Sequence, residues 1–189
     1  MMEITLEAES IVDNISAIIA NIAPIDILEK SHIQDTLVWL KSGVPIFRIK
    51  KPNIPDKHLV CYFVLFDTQA QMILLVDHIN AGLWLPAGGH VEINEDPTDT
   101  VRRECVEELG VAVEFLYENP IFLTSTMTVG ITAGHTDVSL WYVLKGDSNQ
   151  EYNFNTEEFK SVKWFSLDEI PNMKTDPHMQ RFINKMVQR

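Results

Sequence analysis

The sequence has few basic residues and no long hydrophobic run. Lys and Arg together number 15 against 27 for Asp and Glu, which gives a formal net charge of -12. Binding to a nucleic-acid backbone relies on clustered Lys and Arg, so this balance argues against nucleic acid as a partner. No apolar run approaches the roughly 20 residues that a membrane span needs, and the N-terminal stretch carries acids rather than a basic segment. We therefore expect a cytoplasmic protein without a membrane anchor.

Cysteine is also scarce. The two cysteines, Cys61 and Cys105, both lie within apolar stretches. A pair placed in this way is more typical of reduced core thiols than of a disulfide framework. The chain has 189 residues, 46% of them hydrophobic, which is enough for one globular domain with an appendage.

The acidic balance has a consequence for any phosphate-bearing substrate. Such a substrate would be repelled unless divalent cations reversed the local field, so the charge is a reason to look for a metal site. Simple solubility also explains the charge, and on charge alone it is the favoured explanation.

The N-terminal part of the chain predicts two helices. Residues 4–23 carry isoleucines at spacings of three and four, and Pro24 ends the run. A second amphipathic helix stops near Gly43, which is suited to a left-handed cap. The proline-containing segment 50–57 then predicts a connector. We place the boundary there, with a helical extension at residues 1–50 and a second domain at residues 58–189.

The second domain predicts a mixed α/β fold. Residues 59–66 and 71–76 form a predicted hairpin around a polar turn, Asp67 to Ala70. Further β-rich runs lie at 121–129, 138–144 and 162–167, and a last helix follows Asp176-Pro177. Strands gathered in one central sheet are the expected packing.

The clearest predicted helix spans residues 97–109. Asp96 is a good N-cap, Pro97 suits the first helical position, and Gly110 suits the position after the end. Helical spacing places three carboxylates on one side and an apolar stripe on another. The carboxylates are Glu104, Glu107 and Glu108, and the stripe is Val101, Cys105 and Leu109.

Three carboxylates on one face repel one another and destabilise the helix by a few tenths of a kcal/mol per pair. The nearby basic residues, Arg102 and Arg103, precede the cluster and are poorly placed to offset it. Divalent cations such as Mg²⁺, which prefer oxygen ligands, would offset the repulsion. On the helix alone, a solvated acidic face is an equally good explanation.

The segment before the helix favours the metal hypothesis. Residues 86–89, with two glycines, predict a sharp bend that lets the main chain approach a ligand, so that a carbonyl could join the carboxylates. Arg103 is placed to reach back to Glu95, and such an ion pair would fix the loop against the helix.

These residues resemble the Nudix box, the signature of the Nudix, or MutT-like, hydrolases. The pattern is complete and in register, and a chance match at a given start is on the order of one in a billion. It reads Gly89, Glu95, Arg103, Glu104, Cys105, Glu107, Glu108, Gly110 and Val111. Cys105 in an apolar position is a mild variation.

The resemblance implies an α/β/α sandwich around a mixed sheet, and hydrolysis of a nucleoside diphosphate linked to another moiety. It implies that Glu107 and Glu108 hold Mg²⁺ or Mn²⁺, and that Glu104 is a further ligand or the base that acts on water. The carbonyl of Gly88 is the implied backbone ligand.

Other residues have supporting roles in the resemblance. Glu95, Arg103 and Gly89 are implied to be structural. A further acidic ligand is expected shortly before a late strand that bears tryptophan, and Glu158 fits that place, with Glu157 as the alternative.

Three further residues are candidate substrate contacts. His90 follows the glycine pair, while His135 and Asp137 lie at the start of a strand and could supply a polar contact or an extra ligand. An ordinary turn before a strand explains the latter pair more simply.

The expected partner is a small nucleotide. Subfamilies specific for ADP-ribose or for dinucleoside polyphosphates add a proline or a tyrosine downstream of the box, where this chain has residues 125–128, Ser-Thr-Met-Thr. The resemblance therefore favours a nucleoside triphosphate, standard or modified. A nucleotide-sensing module without catalysis is the alternative, an isomerase of isopentenyl diphosphate is disfavoured by the intact box, and a homodimer is left open.

Overall fold

The computed structural model describes residues 2–50, 54–130 and 133–189, with side chains from Ile11 onward. Residues 51–53 of the predicted connector lie outside the described residues. The helices are α1 (Met2–Ala20), α2 (Ile27–Lys41), α3 (Pro97–Leu109) and α4 (Met179–Met186). The strands are β1 (Lys57–Asp67), β2 (Met72–His78), β3 (Leu83–Leu85), β4 (Ala87–His90), β5 (Phe122–Met127), β6 (Thr136–Lys145) and β7 (Phe159–Ser166).

The strands form one mixed, 7-stranded sheet centred on β1. The order along the sheet is β3-β2-β1-β6-β5, while β4 pairs with β1 and β7 pairs with β2. β1 and β6 run parallel, and the other strand pairs are antiparallel. The predicted hairpin is present, because β1 and β2 meet around a turn in which the Asp67 carboxylate accepts bonds from the amides of Gln69 and Ala70, both at 2.9 Å.

Helices cover both faces of the sheet, as the α/β/α prediction required. Alternate residues of β1 point to opposite faces. Leu59, Cys61 and Phe63 pack with residues of α1, α2 and α3, whereas Val64 and Phe66 pack with residues of α4. The two helices of the N-terminal extension therefore share a core with the sheet.

Element ends differ from prediction by a few residues, since helix termini fray and strand ends depend on pairing. α1 ends at Ala20 rather than at residue 23, and β7 begins at Phe159 rather than at residue 162. α2 ends at Lys41, two residues before Gly43, which has φ 74° in the left-handed region. Cys61 and Cys105 are buried free thiols, which confirms that prediction. Among the helices of the described residues, none has the length and apolar character needed to cross a bilayer.

The predicted bend at residues 86–89 is wrong, because Ala87–His90 is strand β4 and pairs with β1. Gly88 lies opposite Tyr62 with φ 141°, and a Cβ on it would lie 2.0 Å from the carbonyl oxygen of Cys61. Glycine is therefore required by close packing of two strands rather than by a turn. A four-residue strand with two glycines gives no alternation of apolar residues, so the sequence carried little β signal.

Candidate active site

The ends of α3 are fixed by the residues that the sequence indicated. The Asp96 side chain accepts a bond from the Thr98 amide at 2.8 Å, Pro97 opens the helix, and Gly110 closes it with φ 67°. α3 packs beside β4, and together they form part of the wall of a cavity of about 1010 Å³. The carboxylate residues Glu104, Glu107 and Glu108 all line this cavity, as do Gly88 and Gly89.

Glu108 is the most deeply placed of the three carboxylates. Glu108 is only 3% exposed, and its Oε2 accepts a hydrogen bond from the Gly88 amide at 2.7 Å. Burial raises the pKa of Glu108 well above its ordinary value, and the charge of Glu104 raises it further. The bond to Gly88 thus holds the tip of this side chain against β4.

Glu104 lies directly over Gly89. A Cβ at position 89 would lie 2.1 Å from Glu104 Oε1, so the glycine makes room for the carboxylate. Burial raises the pKa of Glu104, although a 2.7 Å ion pair with Arg103 Nη1 acts in the opposite direction. Glu107 is more open, with its side chain 58% exposed.

Arg103 connects the helix to the preceding loop as predicted. Its Nε and Nη2 donate to the two oxygens of Glu95, each at 2.9 Å, and Nη2 also donates to the carbonyl of His90 at 3.2 Å. Thr100 donates to Glu95 Oε2 at 2.7 Å. Such a bidentate pair is a strong, orienting contact. Glu95 does not line the cavity, so the geometry gives it a supporting position.

The two candidates for a further acidic residue differ in position. Glu158 lines the cavity, and its charge is among those that raise the pKa of Glu104 and Glu108. Both residues are exposed, but Glu157 is not among the lining residues. The structure therefore brings Glu158 rather than Glu157 to the carboxylate cluster.

The structure also brings together the three predicted polar contacts. His90, His135 and Asp137 line the same cavity, and His58 lies behind them. Ligand atoms of these four residues all lie within 4.8 Å of one another. Asp137 Oδ1 is 3.2 Å from His135 Nε2 and 3.3 Å from His58 Nε2.

Sequence reasoning missed His58, Arg48 and Asp176. Arg48 lines the cavity; burial lowers its pKa, while the charges of Asp137, Glu104 and Glu158 raise it. Asp176 also lines the cavity, and burial raises its pKa to about 6. None of the three belongs to a local motif. Only the pairing of distant strands and loops places them here, so no local pattern could have identified them.

Comparison with known proteins agrees with this geometry. The NUDIX domain model matches residues 56–186. The chain is similar to the Nudix hydrolase YvcI of Bacillus subtilis, at 30% identity over 118 residues that cover 60% of this chain and 72% of that protein. It is also similar to a mitochondrial NAD(P)H pyrophosphatase of Mus musculus, at 29% identity over 97 residues, 47% of this chain but only 24% of that protein.

Solved structures show the same fold at lower identity. A Nudix-family hydrolase from Clostridium perfringens superposes with a TM-score of 0.51 at 24% identity, covering 69% of this chain and 92% of that chain. The Nudix domain of NrtR from Shewanella oneidensis, complexed with ADP ribose, has a TM-score of 0.55 at 21% identity and covers 79% and 91%. The family match spans more than half of the chain and contains the whole carboxylate helix, and on this basis the chain belongs to the Nudix family of hydrolases.

Proposed function

We propose that this protein hydrolyses a phosphoanhydride bond in a small nucleotide, using Mg²⁺ or Mn²⁺. The observation that carries the proposal is the convergence of Glu104, Glu107, Glu108 and Glu158 on one cavity, with two of these carboxylates largely buried. Like charges are costly to bury together, and the cost is recovered when a cation joins them.

The donor set fits a hard divalent cation. Mg²⁺ and Mn²⁺ favour carboxylate and carbonyl oxygens, and the proposed ligands are Glu104, Glu107, Glu108 and Glu158 with the carbonyl of Gly88. When bound, the cation neutralises charge on the phosphate oxygens and lowers the pKa of water.

The protein's own groups supply position and a proton acceptor. Glu108 is held by the Gly88 amide, and Arg103 is held by Glu95, so the helix keeps a fixed distance from β4. We propose Glu104 as a further ligand or as the base that takes a proton from water. Its position directly over Gly89 in the cavity wall suits either role.

The substrate proposed is a nucleoside triphosphate, standard or modified, with His90, His135 and Asp137 among its contacts. Two similar proteins suggest other nucleotide substrates: one is named an NAD(P)H pyrophosphatase, and the other was solved in complex with ADP ribose. A panel of nucleoside triphosphates, dinucleotides and ADP-ribose, assayed for released phosphate or pyrophosphate, separates these choices. Binding without release for every member of the panel would favour the nucleotide-sensing alternative.

The metal role is tested by Glu107→Gln. We expect turnover with Mg²⁺ to fall by orders of magnitude, on the order of 1,000-fold, because a ligand charge is lost where charge develops in the reaction. Glu107 is exposed, so the fold should survive, which circular dichroism checks. The matched control is Glu118→Gln, an exposed glutamate outside the cavity. Near-normal turnover of Glu107→Gln would refute the assigned role.

A further inference from the structure

A second cluster of possible metal ligands is built by the register of the sheet. His58 on β1 lies opposite Asp137 on β6, and His90 on β4 lies opposite Val60 on β1. Residues two apart in a strand share a face, as do directly paired residues. His135 lies directly before β6, two residues from Asp137, and the stacking of its ring on that of His58 places it in the same group. Three separate segments bring three imidazoles and one carboxylate to one point on the sheet.

The hydrogen bonds of His58 fix which of its nitrogens faces the cluster. Nδ1 lies 2.8 Å from the carbonyl oxygen of Pro55, which can only accept, so Nδ1 carries the proton and donates it. In the neutral ring Nε2 then presents a lone pair. Nε2 lies 3.3 Å from Asp137 Oδ1, and within the described part of the chain neither atom has a hydrogen-bond partner. His58 is completely buried.

His135 is arranged in the same way. The hydroxyl of Thr128 donates to the carbonyl oxygen of His135 at 3.2 Å and lies 2.9 Å from its Nδ1. The hydroxyl has one proton, which can go either to the carbonyl oxygen or to Nδ1. With the proton on the carbonyl side, the hydroxyl accepts from Nδ1 and His135 Nε2 presents its lone pair to Asp137 Oδ1 at 3.2 Å. In that tautomer two lone pairs converge on one carboxylate oxygen.

A cation explains this convergence better than protonation of the imidazoles. The His58 and His135 rings are stacked with centroids 5.0 Å apart, so two imidazolium charges would repel each other at short range. Ligand atoms at about 2.0 Å from a tetrahedral ion are about 3.3 Å from one another. The distances from Asp137 Oδ1 to His135 Nε2 and His58 Nε2, 3.2 and 3.3 Å, match this ligand-to-ligand distance. An Nδ1–H bonded to a carbonyl, as in His58, is also the usual support of a metal-binding histidine.

We propose that His58, His90, His135 and Asp137 bind one divalent transition-metal ion, of the class of Zn²⁺ or Co²⁺. Imidazole nitrogen favours such ions over Mg²⁺, whereas the carboxylates of α3 favour Mg²⁺. The two sites share no residue. His90, His135 and Asp137 line the same cavity as Glu104 and Glu108, so the ion adds positive charge to its wall, and these three residues would contact substrate through the ion. A role of that charge in holding substrate phosphates rests on the proposed function, but the binding of the ion does not.

The experiment titrates chelator-treated protein with Co²⁺ in the absence of nucleotide and records the visible spectrum. We expect one equivalent of Co²⁺ to give the strong absorption of a low-coordinate, nitrogen-ligated ion. This band should persist in Glu107→Gln, which weakens only the carboxylate site. In Asp137→Asn and His135→Gln the affinity for that equivalent should fall at least about 10-fold.

The matched control is His32→Gln, a histidine on α2 outside the cavity, which should leave the band unchanged. Because a variant of a buried group can fail to fold, the wild-type protein gives a second measurement. Bound Co²⁺ should shift the proton resonances of coordinated imidazole rings far outside their ordinary range in the NMR spectrum.

Two outcomes would overturn the proposal. One is a Co²⁺ spectrum that is lost in Glu107→Gln and kept in Asp137→Asn, which would assign all binding to the carboxylates. The other is wild-type protein without shifted imidazole resonances. Failure of nucleotide hydrolysis with the cobalt band intact would count against the proposed function alone.

Discussion

Glycine at position 89 and the carboxylate of Glu104 are complementary in shape. We expect Gly89→Ala to lower kcat on the order of 100-fold, because displacement of a reacting group by about 1 Å is enough to do so. The added Cβ would meet Glu104 Oε1 at 2.1 Å, and the flexible end of that side chain is what must move. The fold should persist. Steady-state kinetics with Mg²⁺ measures kcat, and thermal unfolding measures stability.

The control for this substitution is Gly43→Ala, which lies outside the cavity. Gly43 has φ 74° and open space around its Cβ position, so only backbone strain of about 1 kcal/mol is added. This variant should lose stability and keep its activity. Equal kcat values for Gly89→Ala and wild type would show that the close approach of Gly89 to Glu104 has no catalytic consequence.

Asp176 makes the free energy of unfolding depend on pH. Its ordinary pKa is 3.8, and burial raises it in the folded protein to about 6. Between these values the folded protein holds a proton that the unfolded chain has lost, so stability falls as pH rises through this range. The shift corresponds to at most about 3 kcal/mol at neutral pH.

We expect Asp176→Asn to remove this loss of stability. The side-chain oxygen of the asparagine can still accept the 2.7 Å hydrogen bond from the backbone N–H of His178. Urea unfolding at several pH values measures the effect. The variant and wild type should be similarly stable near pH 4, and the variant should be more stable at neutral pH. A constant difference between the two proteins across this range would contradict the raised pKa of Asp176.

At the scale of elements, α2, β5 and α4 meet at one buried ion pair. Glu29 of α2 is completely buried, and its Oε1 accepts from Lys185 Nζ of α4 at 2.5 Å and from the Leu123 amide of β5 at 3.3 Å. Glu29 Oε2 accepts from the Ile25 amide at 2.8 Å. This pair connects the N-terminal extension to both the sheet and the last helix.

We expect Glu29→Gln to lower the free energy of unfolding by about 3–5 kcal/mol, because the ammonium of Lys185 would remain buried without a charge partner. The double variant Glu29→Gln, Lys185→Met should recover part of this loss in urea unfolding. The matched control is Glu114→Gln, whose exposed pair with Lys145 should contribute less than about 1 kcal/mol. A single variant as stable as the double variant would show that the buried charge has no cost.

Elements whose ends and apolar pattern are encoded in their own residues were predictable from the sequence. Elements that depend on pairing with a distant strand were not. α3 carries its own start, end and apolar stripe, so the prediction of a helix at about residues 97–109 agrees with its limits at Pro97 and Leu109. β4 was mistaken for a bend because two glycines remove the alternation that marks a strand. The histidine cluster depends on the parallel pairing of His58 with Asp137, which no local pattern encodes.

At the scale of the whole molecule, residues 1–50 and residues 58–189 share one hydrophobic core, and this core bears on whether they fold together. One cluster of buried side chains joins the two parts, with Ile15, Ile19, Ile33 and Leu40 from the helices and Leu59, Leu123 and Leu140 from the sheet. We propose that the helices are an extension that folds together with the Nudix domain rather than an independent unit. Removal of the helices would expose part of one face of the sheet, at a cost of roughly 25 cal/mol per Å² of apolar surface.

Calorimetry of the full chain should therefore show one cooperative unfolding transition, with the calorimetric and van't Hoff enthalpies equal. A chain that begins at residue 58 should unfold at a lower temperature, because it keeps Lys185 but loses its partner Glu29 as well as the apolar contacts. Lys185→Met introduced into the short chain should restore part of that stability, since it removes an unpaired ammonium. Two resolved transitions in the full chain, or an unchanged melting temperature after truncation, would mean that the extension folds separately despite the shared core.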